Sequence, residues 1–166
     1  MKLPYHKIKA DDINLTDVDI IDFIEENQGF DCSVLDMDKL LENNSFLKWL
    51  YSKYKFQAAI LHIEPFKHFI WHKDANRGVT INSLLTEGQS HTLFSEDVDN
   101  APYQATILPL PYIKNKLFLF NTQVSHCVFN FAKKRQMFSI EFEKSFRDGL
   151  TYDDVFKTIK EEYYNL

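Results

Sequence analysis

From Phe56 onward the apolar residues recur every second position, and this two-residue period persists to about residue 143. β-Branched and aromatic runs fall at Gln57 to Glu64, Val79 to Leu85, His91 to Phe94, Gln104 to Leu108, Leu117 to Phe120, Val124 to Asn130 and Gln136 to Phe142. Turn-forming segments such as Glu87-Gly88-Gln89 and Pro109-Leu110-Pro111 separate them. Seven or eight short strands packed into fewer than about 90 residues restrict the fold to a barrel or a sandwich.

Helical spacing flanks this region. Thr16-Asp17-Val18-Asp19 resembles a capping box with Asp in the Glu role, and Val18, Ile21 and Ile24 follow at helical intervals. A second helix is expected from Asp36 as N-cap, burying one stripe made by Leu40, Leu41, Leu47, Leu50, Tyr51 and Tyr54. The tail reads as a helix over 150–166, with Thr151 as N-cap, Asp153 and Asp154 in the first turn and Val155, Ile159 and Tyr163 on one side. The 166 residues suit one domain: helices over 1–55 lying against a sheet, a β core over 56–143 and the C-terminal helix. The fold class expected is therefore mostly β with flanking helices. Its interior is rich in aromatics, with 15 Phe and 8 Tyr against 4 Gly.

A formal net charge of −5 and the lack of a lysine or arginine block argue against a grip on a phosphate backbone. No stretch approaches the roughly 18 apolar residues that a membrane span needs, and the N-terminus has no apolar signal core. Cys32 and Cys127 carry no C-x-x-C spacing, so free thiols in a reducing, cytoplasmic setting are expected. Oligomeric state is not legible. G-x-S-x-G, H-E-x-x-H and a phosphate-cradling glycine loop are all missing from the sequence, which fits chemistry without a protein nucleophile.

The candidate site begins with Trp71-His72-Lys73-Asp74. In extended backbone, residues two apart face the same way, so His72 and Asp74 can reach one ion. His126, within the run Val124 to Phe129, supplies a second imidazole. Two imidazoles and one carboxylate on one face suit a non-haem Fe(II) with positions left open. Arg135 opens the last strand, and antiparallel pairing is expected to return it beside the His126 strand, where its guanidinium could clamp a carboxylate. Lys133 and Lys134 read as solvated. Arg77 is placed to steady Asp74 or bind substrate; Thr80 and Asn82 alternate with Val79 and Ile81, so the polar pair should face the cavity. Cys127 should point away from His126, while Phe118, Phe120, Phe138, Ile140 and Phe142 should pack under the helices.

His72-x-Asp74, His126 and Arg135, in that order and on those strands, resemble the Fe(II)- and 2-oxoglutarate-dependent dioxygenase superfamily over roughly residues 56–143. Residues 71–82 and 125–130 resemble its small viral and bacterial members, distantly similar to aspartyl/asparaginyl or prolyl hydroxylases. The resemblance implies a double-stranded β-helix core of jelly-roll or cupin type. Iron would sit on His72, Asp74 and His126, with 2-oxoglutarate as co-substrate and O2 as oxidant, and succinate and CO2 released. It implies that Arg135 seats the far carboxylate of 2-oxoglutarate. Met137 stands where the superfamily often has Ser or Thr, so hydroxyl or amide help would come from Ser139, Tyr103 or Asn82. Arg77 and Thr80 would serve substrate or support the ligands. The chain is short for the superfamily and leaves little length for a substrate lid. The substrate expected is an amino-acid side chain, free or in a peptide or protein. The same residues also admit a cupin-type metalloprotein without 2-oxoglutarate (a hydrolase, isomerase or sensor), or a non-catalytic β-sandwich binding module.

Overall fold

The computed structural model describes residues 3–27, 29–88, 90–96, 98 and 105–165. Among these described residues eleven strands, numbered in chain order, form two antiparallel sheets. The larger holds β1 (Tyr5–Lys7), β2 (Ile20–Asn27), β3 (Phe30–Leu35), β4 (Phe56–Ile63), β6 (Val79–Leu84), β9 (Phe118–Asn121) and β11 (Arg135–Phe142), in the order β1-β9-β6-β11-β4-β3-β2. The smaller holds β5 (His68–His72), β7 (Ser90–Ser95), β8 (Leu108–Pro109) and β10 (Ser125–Asn130), in the order β5-β10-β7-β8. This is a mostly β architecture with a double-stranded β-helix core.

Alternation along the strands sorts the interior into two layers. Phe138, Ile140 and Phe142 of β11, Phe56 and Ala58 of β4, Val79 and Ile81 of β6 and Leu119 of β9 share one face of the large sheet. That face buries against α1 (Met37–Asn43), α2 (Ser45–Lys53) and α3 (Tyr152–Thr158). Phe118 and Phe120 do not join them, contrary to expectation. Being out of phase with Leu117 and Leu119, they project between the sheets and pack on Phe94 and Leu110.

Residues 16–27 do not form the helix that their spacing suggests. Asp17 takes a left-handed backbone (φ 61°) that closes a turn, and Ile20–Asn27 continues as β2, paired with β3. The run Ile20-Ile21-Asp22-Phe23-Ile24 is β-branched and aromatic, and β3 offers it a ladder, so pairing overrides the three-residue spacing. The expected second helix does begin at Asp36, whose carboxylate accepts from the Lys39 N–H at 3.1 Å, but it is two helices. Asn44 interrupts it with extended backbone; its side-chain amide donates to the carbonyls of Leu40 (2.9 Å) and Asn14 (2.8 Å). Thr151 and Asp154 cap α3 reciprocally, and a π-helical turn, Ile159–Tyr163, follows. Of the strand expected over Gln104 to Leu108, residues 105–107 stay outside the ladder, and Leu108 pairs with β7 together with Pro109; Gln104 lies outside the described residues. Among the described residues no helix is long and apolar enough to cross a membrane.

Two measurements check this core. Phe138 is fully enclosed, so Phe138→Ala should lower the free energy of unfolding by about 3–5 kcal/mol in urea titrations. Burial, and then the neighbouring Asp153 charge, push the Tyr152 phenol up to about 12 from an ordinary 10.0. A raised pKa favours the protonated form in the fold, so this stabilisation is complete below pH 10 and is lost as pH rises through 12. Tyr152→Phe should therefore show a shallower loss of stability across that window.

Candidate metal centre

β5 and β10 pair antiparallel with His72 directly opposite His126, which brings the ring centroids to 4.3 Å. β5 carries one extra residue between Phe69 and His72 relative to β10, a bulge of the kind that re-aims a side chain. His126 is buried, flanked by the rings of Phe94 and Phe120 at 5.8 and 5.6 Å. Asp74 lies just past the end of β5, and its loop is tied down from both sides. Asp74 N–H donates to the Thr122 carbonyl at 3.1 Å, and the Gln123 side-chain amide donates to the carbonyls of Asp74 and Arg77 at 2.9 and 2.7 Å. On the far side, Phe146 N–H donates to the Asn76 carbonyl at 2.6 Å, and a Cβ at Gly78 would collide with the Leu150 carbonyl.

Asp74 Oδ1 lies 3.6 Å from His72 Nε2 and 3.7 Å from His126 Nε2, and all three potential ligand atoms fall within 4.8 Å of one another. The other ring nitrogens are spoken for: His72 Nδ1 faces the Ile70 carbonyl at 2.7 Å and His126 Nδ1 the Val124 carbonyl at 3.0 Å. A carbonyl can only accept, so both rings donate from Nδ1 and turn Nε2 toward Asp74. Burial holds the His126 imidazole below its ordinary value, with the Val124 carbonyl and Asp74 opposing, so it is neutral and able to ligate at neutral pH. Arg77 Nε stands 2.7 Å from Asp74 Oδ2, close enough to pair in charge, although its N–H is not aligned on that oxygen as a hydrogen bond. Two imidazoles with Nε2 turned inward and a steadied carboxylate fit a divalent cation such as Fe(II).

Arg135 does not return beside the His126 strand. β11 pairs with β4 and β6 in the large sheet, while β10 pairs with β5 and β7 in the small one. The chain crosses between sheets after Asn130, whose side-chain amide is shared among the carbonyls of Ile63, Glu64 and Lys133. The crossing still directs Arg135 inward. It is 1% exposed, donating to Ser90 Oγ at 2.6 Å and Thr92 Oγ1 at 3.0 Å, with Tyr112 stacked 5.6 Å from the guanidinium carbon. Its Nε–H has no partner, and no carboxylate among the described residues pairs with it. Lys134, its neighbour in sequence, is instead exposed and paired with Glu64 at 2.8 Å.

By sequence the chain matches no family model and no curated protein. By structure it is similar to a 2OG-Fe(II) oxygenase family oxidoreductase from Burkholderia pseudomallei, with 10% identity over 73% of this chain and 70% of that one and a TM-score of 0.52. It is also similar to a Pseudomonas putida prolyl-4-hydroxylase, with 13% identity, 78% of each chain covered and a TM-score of 0.51. A Trichoplax adhaerens prolyl hydroxylase in complex with a hypoxia inducible factor peptide fragment shares 14% identity over 69% of this chain and 62% of that one, TM-score 0.51. The chain has the fold of the 2OG-Fe(II) oxygenases.

Within that oxygenase fold, Thr80, Asn82 and Ser139 form a buried polar row on β6 and β11. The Thr80 hydroxyl donates to the Ile140 carbonyl at 2.7 Å and lies 3.2 Å from Asn82 Oδ1 and 3.5 Å from Ser139 Oγ. Ser139 lines an open cleft of about 530 Å³ together with His72, Asp74 and Arg77, while Asn82 reaches Tyr112, the ring beside the Arg135 guanidinium. Tyr103 lies outside the described residues. Hydroxyls around Arg135 come instead from Ser90, Thr92 and Tyr112, none of them singled out from the sequence. Ser90, Thr92 and Phe94 alternate on one strand, a pattern that could have revealed the first two; Tyr112 sits in the proline-rich segment after β8 and gives no periodic signal.

A buried cation without an anion costs free energy. Arg135→Met should therefore raise the unfolding free energy of the ligand-free protein by about 1 kcal/mol, whereas removal of a structural arginine would lower it by about 3 kcal/mol or more. Urea midpoints of the two proteins decide between these.

Proposed function

We propose that this chain is an Fe(II)- and 2-oxoglutarate-dependent oxygenase that hydroxylates an amino-acid side chain, free or within a polypeptide. The observation that carries the reading is Arg135: a guanidinium sealed inside the same barrel as a His-Asp-His cluster, with no anion among the described residues to neutralise it. Thr92, one of its partners, stands two residues from Phe94, which pairs with His126. That is about 7 Å along the strand, the order of span of a five-carbon diacid.

His72 Nε2, Asp74 Oδ1 and His126 Nε2 would hold the iron. Bound there with 2-oxoglutarate and O2, the iron supplies the oxidising chemistry, with 2-oxoglutarate consumed to succinate and CO2 as the substrate gains a hydroxyl. The chain's own residues bind and orient. Arg135, Ser90, Thr92 and the Tyr112 hydroxyl take the far carboxylate of the diacid; burial raises the Tyr112 pKa, so the phenol stays protonated as a donor. Arg77 pairs with Asp74 and fixes it. Phe94 and Phe120 keep water from His126, and the cleft beside His72 admits the substrate. The peptide held by the Trichoplax adhaerens prolyl hydroxylase supports a polypeptide substrate. Two free, buried cysteines, Cys32 and Cys127, suit work in the reducing cytoplasm.

Anaerobic titration with Fe(II) and 2-oxoglutarate should produce the visible charge-transfer band of the chelate in the wild type. His126→Ala should abolish it, and Arg135→Ala should weaken the diacid by about 100-fold while keeping metal, as expected for loss of a buried bidentate charge pair. Stoichiometric metal binding that is indifferent to 2-oxoglutarate and to Arg135 would refute the reading in favour of a cupin-type metalloprotein.

A further inference from the structure

Seven strands face four, so the small sheet ends at β5 while the inner face of the large sheet runs on through β3 and β2. The uncovered strip is the cleft. Its floor presents Ile24, Cys32, Val34, Ala59 and Leu61 in cross-strand rows, its wall is β5 with the loop to Arg77, and Phe69 meets Phe30 at 5.7 Å at the β2–β3 turn. β5 is an edge strand with no second partner among the described residues. Neither Pro nor Lys, the usual guards of an edge, stands within His68-Phe69-Ile70-Trp71-His72, and Ile70 is 72% exposed.

We propose that the cleft is a vacant strand position, filled by an extended, cationic polypeptide segment. The segment pairs along the free edge of β5, lays alternate side chains on the apolar floor, and carries one side chain past His72 to the cluster with Asp74 and His126. Charge supports the sign of the occupant. Arg77 and Asp74 of the wall offset each other, and against the exposed Lys73 stand Glu141 on the floor and Asp22, opposite Val34 on the same face, so the balance is acidic; both carboxylates act on the Cys32 thiol, adding to burial in raising its pKa. A second copy of this chain is the poorer occupant, because its formal net charge of −5 opposes docking on an acidic floor. This inference rests on the oxygenase reading, of which it names the substrate class.

The test is fluorescence anisotropy with a labelled extended peptide in which every second residue is valine or lysine, so that both share the floor-facing row, and threonine fills the other row, run on wild-type protein whose chelate band is recorded in the same sample. Saturable binding is expected, weaker by about ten-fold or more when lysine is replaced by glutamate or when alternate backbone nitrogens are methylated, since methylation removes the ladder donors. Glu141→Lys should weaken the lysine peptide, and Val34→Lys should abolish binding. Equal binding of the methylated peptide, preference for the glutamate peptide, or a dimer in sedimentation that Ile70→Lys dissociates would each overturn the proposal. If the band forms and no peptide binds, the docking inference fails alone; if no band forms, the oxygenase reading fails and the substrate claim falls with it.

Discussion

The register of two short strands carries this structure's chemistry. β5 and β10 set His72 opposite His126, and everything else at the site is built around that pairing. A slip of one residue would turn His126 outward and bring Cys127 into its place, since successive side chains on a strand face opposite ways. Register is held by burial on one side and by loops on the other. The turn after β9, through Thr122 and Gln123, fastens the loop of Asp74 to the segment that leads into His126, so the two imidazoles and the carboxylate belong to one hydrogen-bonded assembly.

Arg135 is the counterpart of that assembly, and its position is costly. A guanidinium held among Ser90, Thr92 and Tyr112 gains hydrogen bonds without charge compensation from the described residues, among which one of its N–H groups stays unmet. The polar row of Thr80, Asn82 and Ser139 on the neighbouring strands continues the same hydrophilic lining through an otherwise aromatic barrel.

Much of this was legible in the sequence because a strand's parity is rigid. Alternation alone places Arg135, Met137 and Ser139 on one face and Phe138 and Ile140 on the other, which separates a buried arginine from the solvated Lys134 beside it. The same rule sets Leu117 and Leu119 under the helices and Phe118 and Phe120 between the sheets; four apolar residues in a row do not reveal which parity faces which layer. Val18, Ile21 and Ile24 misled because three-residue spacing is compatible with a helix until a neighbouring strand competes; β3, with no strong period of its own, was the unseen competitor. Strand β11 was read correctly but paired wrongly. Adjacency in sequence favours a hairpin, and the switch between sheets depends on Asn130 bonding carbonyls that are distant in the chain.

The cage around Asp74 is braced by Gln123 in front and by Phe146 and the close approach at Gly78 behind, all of them protein-to-protein contacts. An ion arriving there finds its donors already oriented and need not organise any backbone, unlike the ion of a zinc finger, which folds its host. A metal held there would thus be an exchangeable passenger, since the backbone that presents its donors is braced by protein alone.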